Sequence, residues 1–233
     1  MHLIITRPIE DAKTLQEKLL ARGHTATVLP LLKIVPRSNV KIPRESYQLI
    51  CATSANALKH GTFENTLKDL PLITVGPQSL AEAKAQGFKN CSAEGGDVHG
   101  LSDYIIKKFN PQNGPILYLS GAETSADLQS ILRARNFTVN RVIIYDAVIE
   151  SPAGLQAALT KAGGVALYSP RSAQLWVNLI TRELLEKLAA NTTYYCLSEN
   201  VANKLPQNWP KRIAKTPDEA AMLALLDQTP RTS

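Results

Sequence analysis

Apolar residues at the start of the chain follow first a strand pattern and then a helix pattern. A short apolar run over 3–5 is followed by a turn, by Leu15 and Leu19 at helical spacing, and by a second strand-like run from Thr25. Short apolar runs predict buried strands, and leucines four residues apart predict the buried face of an amphipathic helix. The segment therefore predicts a strand, a helix and a strand, which is the opening of a doubly wound α/β domain.

The same pattern returns later in the chain without a gap. The segment 3–32 matches the segment 116–145 at a constant offset of 113 residues (116 − 3). Identical residues at this offset are Glu10/Glu123, Leu15/Leu128, Gln16/Gln129, Leu19/Leu132, Ala21/Ala134, Arg22/Arg135 and Thr25/Thr138. A unit that recurs once predicts two similar domains rather than a solenoid, which stacks three or more units.

Three further strand–turn–helix pairs extend the repeat. The paired segments are 47–54 with 165–170, 71–88 with 193–209, and 92–109 with 213–228. The first of these pairs has an offset of 116 (165 − 49), and in the last pair Thr216 is the expected N-cap of a helix that starts at Pro217. Near-continuous apolar strands in every unit predict parallel sheets covered on both faces. The final residues, 229–233, are expected to be disordered.

Composition and charge exclude several kinds of partner. The 233 residues carry a formal charge of +6, which favours acidic partners. The lysines and arginines are spread along the chain without interleaved aromatics, whereas nucleic-acid binding needs a concentrated basic face. No apolar run reaches the ~18 residues that a membrane span requires. A small polyanion fits this charge, and a basic surface that is merely solvated is the alternative. We expect no nucleic acid and no membrane as partners.

Cysteine usage favours a reducing, cytoplasmic setting. Cys51, Cys91 and Cys196 lack the C-x-x-C spacing of zinc or redox sites, and no secretory signal pattern opens the chain. The four histidines have no metal-like spacing either. The spacing of these residues therefore predicts no metal ion.

Function is expected at the turns that follow the strands, because parallel sheets bind ligands at the carboxyl ends of their strands. These turns are 6–8, 53–55, 76–79, 94–98, 120–122, 169–171, 198–200 and 215–216. Nearly all of them carry Ser, Thr or Gly before a helix, which favours an anion, although Ser and Thr are also ordinary N-caps. No nucleophile elbow, P-loop, H-E-x-x-H or dinucleotide fingerprint occurs. These residues alone predict a two-domain binder of a small polyanion with no chemistry assigned.

A series of short motifs adds chemistry to this picture. The motifs are ITRP (5–8), LPLLKI (29–34), ATSANAL (52–58), TVGPQSLAEAKAQGF (74–88), VIIYDAV (142–148), YSPRSA (168–173) and SENVANKL (198–205). In their order and spacing the chain resembles uroporphyrinogen-III synthase over essentially its whole length. The resemblance implies a cofactor-free, cyclising hydro-lyase of tetrapyrrole synthesis. Its substrate would be hydroxymethylbilane, which loses its terminal hydroxyl as water and closes, through azafulvene and spiro-pyrrolenine intermediates, with ring D inverted.

The resemblance also implies roles for individual residues. Tyr145 is the implied catalytic group, with its hydroxyl directed to the departing oxygen, and the alternative is a strand-end tyrosine with its hydroxyl at the surface. The implied substrate-binding residues are Arg7, Thr53, Ser54, Ser79, Ser120, Gly121, Ser169, Arg171 and Ser198. Two places depart from the family. Many members have arginine before the glycine where this chain has Ser120, and Gly followed by Thr is usual where this chain has Ser-Glu-Asn-Val at 198–201.

The resemblance further implies the domain boundaries and the partners. The repeat alone would divide the chain near Gly114, whereas the family places 1–34 and 149–233 in one Rossmann- or flavodoxin-like domain and 38–144 in the other. The segments 35–37 and 145–148 would join them as a two-stranded β linker, and domains hinged in this way would open and close over a ligand in the cleft between them. We expect a monomer that contacts hydroxymethylbilane synthase transiently.

Two other functions stay open at this point. A non-catalytic cytoplasmic sensor for a small polycarboxylate would keep the fold and the cleft but would not turn its ligand over. A nucleotide-binding enzyme is disfavoured because the glycine fingerprint is missing.

Overall fold

The computed structural model of the protein describes residues 1–228 and divides the chain into two compact units. The first unit comprises Met1–Lys33 and the chain from Val148 onward, and the second comprises Ile34–Ala147. The disorder expected for 229–233 lies outside the described residues. Within the described part, no helix has the length and apolar character needed to span a membrane.

Strands and helices alternate along the chain. In chain order they are β1 (His2–Ile5), α1 (Ile9–Leu20), β2 (Thr25–Val28), β3 (Leu32–Pro36), β4 (Leu49–Ala52), α2 (Ala55–Lys59), α3 (Asn65–Lys68), β5 (Pro71–Thr74), α4 (Pro77–Ala85), β6 (Asn90–Ala93), α5 (Val98–Lys108), a 3₁₀ turn (Pro111–Asn113), β7 (Ile116–Gly121), α6 (Leu128–Arg133), β8 (Val139–Ile149), α7 (Leu155–Lys161), β9 (Gly164–Leu167), α8 (Pro170–Arg182), α9 (Glu186–Ala190), β10 (Thr193–Cys196), α10 (Glu199–Ala202), β11 (Lys211–Ile213) and α11 (Glu219–Asp227).

The first unit contains a parallel five-stranded sheet in the order β11-β10-β9-β1-β2. Counted along the chain from β1, this is the 2-1-3-4-5 order of flavodoxin-like folds. Alternate residues of β1 pack on opposite faces of the sheet, with Ile4 in one apolar cluster and Leu3 and Ile5 in the other. All three are fully buried, as the predicted two-sided cover of a parallel sheet requires.

The second unit contains a six-stranded sheet in the order β3-β8-β7-β4-β5-β6, in which the strands from β8 to β6 are parallel. Counted from β7, these five strands again have the order 2-1-3-4-5, so the second unit is a circular permutation of the first. The residues predicted to join the two domains lie in two strands, since 35–36 end β3 and 145–148 belong to β8. These two strands are neighbours in the sheet, and the Arg37 amide donates to the Ile144 carbonyl at 2.8 Å.

The sequence repeat is also a repeat of contacts. The Gln16 side chain donates to the Ala26 carbonyl at 2.8 Å, and the Gln129 side chain donates to the Val139 carbonyl at 3.0 Å. Donors and acceptors are both separated by 113 residues (129 − 16 and 139 − 26), so each glutamine joins its helix to the following strand in the same way. The leucines of the repeat are fully buried at Leu15, Leu19, Leu128 and Leu132.

Two predicted details are wrong by one or two residues. Leu3 pairs with Gly164 in the first sheet and Ile116 pairs with Leu49 in the second, so the offset of that strand pair is 115 (164 − 49) rather than 116. An apolar run does not mark the first residue of a strand, which explains the difference.

The last helix begins at Glu219 rather than at Pro217. Its N-cap is Asp218, whose carboxylate accepts from the Ala221 amide at 2.8 Å, and the Thr216 hydroxyl donates to the same carboxylate at 2.6 Å. A carboxylate is a preferred N-cap acceptor, so threonine supports the cap instead of forming it.

The burial of the thiols leads to a prediction about their reactivity. Burial raises the pKa of Cys51, and it raises the pKa of Cys196 to about 12, whereas Cys91 is only half-buried. Because the thiolate is the reactive form, a disulfide reagent at pH 8 should modify only Cys91 in the native protein. In denatured protein all three thiols should react. Labelling of Cys196 in native protein at the rate of Cys91 would contradict the buried position of Cys196.

Candidate functional site

The candidate site of the second unit lies at the carboxyl ends of β4 and β7. The strand order reverses between these two neighbours, and doubly wound sheets bind ligands at such a point. Thr53 and Ser54 follow β4, Ser120 and Gly121 end β7, and Tyr145 comes from the adjacent β8. The topology thus brings together five of the residues singled out in the sequence.

The Tyr145 hydroxyl is bonded inside the unit. It donates to Ser54 Oγ at 3.0 Å, and the Tyr145 side chain is 8% exposed. Ser54 is also the N-cap of α2 and accepts from the Asn56 amide at 3.2 Å. Since the Ser54 oxygen accepts both bonds, its own proton remains for a further acceptor. A ligand oxygen beside Ser54 would therefore meet a hydroxyl that is backed by a second hydroxyl.

A β-bulge directs Tyr145 to this side of the sheet. Ser120 pairs with Ile143 but Gly121 pairs with Tyr145, so Ile144 is an extra residue on β8. Consecutive residues of a regular strand face opposite sides of the sheet, yet Ile144 and Tyr145 belong to the same apolar cluster. Without the bulge, Tyr145 would face away from Ser54.

The close approach of the tyrosine ring requires glycine at position 121. A Cβ atom on Gly121 would lie 2.7 Å from Tyr145 Cζ and 2.9 Å from the hydroxyl oxygen, well inside van der Waals contact. Because glycine lacks that atom, the ring packs directly over the end of β7.

Arg141 on β8 is a site residue that the sequence analysis missed. Its Nε donates to Ser120 Oγ at 2.9 Å, and one terminal nitrogen donates to the Gly121 and Ala122 carbonyls at 2.8 Å each. Ser120 is fully buried, and its hydroxyl donates to the Gly121 carbonyl at 2.9 Å. The signal available in the sequence was an arginine within an apolar strand, which needs polar partners there.

Tyr118 is a second residue that the sequence analysis missed. Its hydroxyl is 3.0 Å from Thr53 Oγ1, and the Arg141 guanidinium carbon lies 5.8 Å from the centre of its ring. Burial raises the pKa of Tyr118, so its phenol stays neutral over the physiological range. The Thr53 hydroxyl at the site therefore already has one hydrogen-bond partner, the Tyr118 phenol on β7.

Ser79 lies in a helix rather than in the turn where it was expected. It is 6% exposed in the first turn of α4, on the same face as the buried Ala83. Ala83 belongs to an apolar cluster of the unit, so Ser79 is buried on the packed face of the helix.

In the first unit, Arg7 follows β1 at the equivalent reversal between β1 and β9. Its guanidinium donates to Glu219 at 2.9 Å and to Asp11 at 3.0 Å, and it lies 4.7 Å from the centre of the Tyr168 ring. Lys18 also pairs with Glu219. The charge of Arg7 is thus balanced within the unit, and a ligand carboxylate would have to replace one of its two partners.

Three further predicted residues lie at strand ends of the first unit. Ser169 is the N-cap of α8, where it accepts from the Ser172 amide at 3.0 Å, and Arg171 is the second residue of that helix. Ser198 precedes α10 without a side-chain cap bond and lines a pocket of about 340 Å³ together with Lys215.

Two larger pockets contain none of the predicted site residues. One, of about 1090 Å³, is lined by residues within 40–47 and 62–67, and the other, of about 680 Å³, by residues within 152–161 and 179–185. Among residues 1–228, no three His, Cys, Asp or Glu side chains come together as a metal site. The arrangement of hydroxyl groups at the strand ends, rather than pocket size, therefore identifies the candidate site.

Comparisons with known proteins point to one family. The family profile described as "Uroporphyrinogen-III synthase HemD" matches residues 13–224. The "Porphyrin biosynthesis protein HemD" of Ruminiclostridium josui is 28% identical over an alignment of 159 residues, and the match covers 62% of this chain but only 31% of that protein.

Solved structures share the fold. The uroporphyrinogen-III synthetase of Helicobacter pylori superposes with a TM-score of 0.66 at 16% identity, covering 97% of this chain and 98% of that chain. A mutant uroporphyrinogen III synthase of the extremely thermophilic bacterium Thermus thermophilus gives 0.60 at 13% identity, covering 98% of this chain and 100% of that chain.

The contact between Gly121 and Tyr145 predicts a selective loss of stability. Gly121→Ala should displace the ring from Ser54 and lower the free energy of unfolding by about 1–3 kcal/mol, as overpacking does. Gly76→Ser is the control, because a Cβ on Gly76 meets nothing within 4 Å and serine is a good N-cap. Calorimetry that found equal thermal midpoints for the two variants would show that the ring moves aside at no cost.

The ion pairs of Arg7 predict a structural role. Arg7→Gln should lower the free energy of unfolding by about 1–3 kcal/mol, because two carboxylates lose a charged donor. Arg22→Gln is the matched control, since Arg22 forms an exposed pair with Asp227 at 3.7 Å and its loss should change stability by less than about 1 kcal/mol. Urea unfolding of both variants measures the difference, and equal losses would remove the special role of Arg7.

Proposed function

We propose that this chain, which belongs to the uroporphyrinogen-III synthase family, closes the linear tetrapyrrole hydroxymethylbilane to uroporphyrinogen III. In this reaction water is lost and ring D is inverted. The observation that carries the proposal is the Tyr145 hydroxyl bonded to Ser54 at the reversal point of the second sheet. This position suits a neutral donor to a leaving oxygen.

The chemistry needs a single donor rather than an acid–base pair. The hydroxyl leaves from a carbon that the neighbouring pyrrole stabilises as an azafulvene, and it takes up a proton to depart as water. After ring D has attacked and rearranged through the spiro-pyrrolenine, the closing pyrrole carbon loses a proton as aromaticity returns. This proton returns to the donor that gave one up, so the two protons balance and the net change is the loss of one water molecule.

Ser54 and Tyr145 can act together in the first step. The Ser54 proton is free for the departing oxygen, while Tyr145 donates to the Ser54 oxygen and can replace the proton that Ser54 gives up. The role assigned to Tyr145 is thus donation through Ser54 or, after the pair opens, directly to the substrate.

Most of the rate advantage would come from holding the substrate. Without an enzyme the open bilane closes to the type I isomer, so the protein must place ring D where its substituted carbon reacts. The substrate carries many carboxylates, and we assign their binding to Thr53, Ser54, Ser169, Arg171 and Ser198 at strand ends. The net charge of +6 favours approach of such a polyanion.

We further propose that the protein acts as a cytoplasmic monomer that takes its substrate from hydroxymethylbilane synthase. The three free cysteines support a reducing compartment. The spontaneous closure of the bilane favours a short transfer between the two enzymes.

An isomer assay tests the proposal. Hydroxymethylbilane generated in place by its deaminase is incubated with the protein, oxidised and separated into uroporphyrins I and III. Wild-type protein should give mainly type III. Tyr145→Phe should form type III about 10- to 100-fold more slowly, because the donor behind Ser54 is lost.

The control for this assay is Tyr104→Phe, which removes a phenol hydroxyl from α5 in the same unit, away from the strand ends. It should leave the rate of type III formation unchanged. If folded wild-type protein gave only type I, the catalytic proposal would be wrong and binding of a polycarboxylate without turnover would take its place.

A further inference from the structure

We propose that Arg141 is a positioning residue that fixes the Tyr145 hydroxyl by holding the β-bulge between the two residues. The proposal rests on the function proposed above for Tyr145. Arg141 packs over the Tyr118 ring, on the face of the sheet opposite to the Tyr145 side chain. It therefore acts on Tyr145 through the backbone and does not contact the substrate.

The bulge needs a substitute for lost strand pairing. A regular ladder satisfies the backbone groups of both strands, and an extra residue interrupts it. At the end of β7, the Arg141 guanidinium provides the missing donors, because it bonds the carbonyls of Gly121 and Ala122 at 2.8 Å each. Its Nε also bonds Ser120 Oγ, which in turn donates to the Gly121 carbonyl.

One peptide group links Arg141 to Tyr145. The Gly121 carbonyl and the Ala122 amide belong to the same planar unit. Arg141 holds its carbonyl end, and its amide end donates to the Tyr145 carbonyl at 2.9 Å. A tilt of this peptide therefore moves the Tyr145 backbone, and with it the hydroxyl that must reach Ser54.

The geometry requires arginine and not merely a positive charge. Three oxygen atoms are bonded by two nitrogens of one planar fork. Lysine offers a single nitrogen on a flexible stem and cannot hold all three in this arrangement. Arg141→Lys should therefore resemble Arg141→Met, although it retains the charge.

The kinetic test compares Arg141 with another arginine of the second unit whose guanidinium also bonds a backbone carbonyl. Arg141→Met and Arg141→Lys should lower kcat for type III formation about tenfold and change KM by less than about twofold, as expected for misplacement of a group used in the reaction. Arg133→Met is the matched control, because Arg133 donates to the Val139 carbonyl at 3.1 Å at the opposite end of β8. It should leave kcat and KM unchanged.

A double-mutant cycle separates positioning from general stability. In the Tyr145→Phe background, Arg141→Lys should lower kcat by less than about twofold, because the hydroxyl that it positions is already absent. Independent tenfold losses in both backgrounds would overturn the proposal. Should Arg141→Met fail to fold by circular dichroism, Arg141→Lys supplies the comparison.

An NMR measurement on the protein without substrate tests the positioning role of Arg141 independently of catalysis. With tyrosine labelled by carbon-13 at Cζ, the Tyr145 resonance is assigned as the one missing from Tyr145→Phe. Arg141→Lys should shift or broaden it and leave Tyr104 unchanged, while Arg133→Met should leave both unchanged. An unaltered Tyr145 resonance would overturn the proposal. Wild-type protein that makes no type III isomer would overturn the proposed function instead, and the resonance would still decide the positioning.

Discussion

The peptide group between Gly121 and Ala122 is the constraint on which the site depends. Its carbonyl is held by Arg141 and its amide by the Tyr145 carbonyl, so it joins two faces of the second sheet. The bulge at this point places Tyr145 beside Ser54, and the missing side chain of Gly121 leaves room for the ring. Each feature requires the others: with a regular ladder the phenol would face the wrong side, and with a side chain at 121 it would not fit.

The sequence predicted the architecture well because the architecture rests on burial. Leu15 and Leu128 had to be apolar at helical spacing in both copies, and Gln16 and Gln129 had to meet a strand carbonyl, so the copies remained recognisable. The order of the strands within each sheet, by contrast, does not follow from burial. The permutation of the second unit depends on which strands pair across long separations, and apolar runs contain no information about pairing partners.

The candidate site was predicted in part, for a physical reason that differs from residue to residue. Ser54 lies where a helix starts after a strand, and such a turn is visible in the sequence. Ser79 and Ser120 also lie near strand ends, but they face the interior because helix phase and strand alternation decide their direction. Arg7 was expected to be an available cation, yet one of the two carboxylates that balance it, Glu219, lies 212 residues away along the chain. Arg141 was missed because its role follows from a bulge, which only the register reveals.

The two copies of the repeat differ where the second one has its candidate site. In the first copy, α1 starts at Ile9, directly after Pro8; the equivalent residues of the second copy are Ala122 and Gly121. There α6 starts only at Leu128, with Asp127 as its N-cap, so the helix begins six residues late (128 − 122).

The shorter helix leaves residues 122–127 as a non-helical segment after the end of β7. Glycine in place of proline then lets the ring of Tyr145, which replaces Leu32, occupy that end. A helix that began as early as α1 would place its first turn where the Ala122 carbonyl now accepts from Arg141. The later start of α6 therefore leaves room for the polar groups of the candidate site at the end of β7.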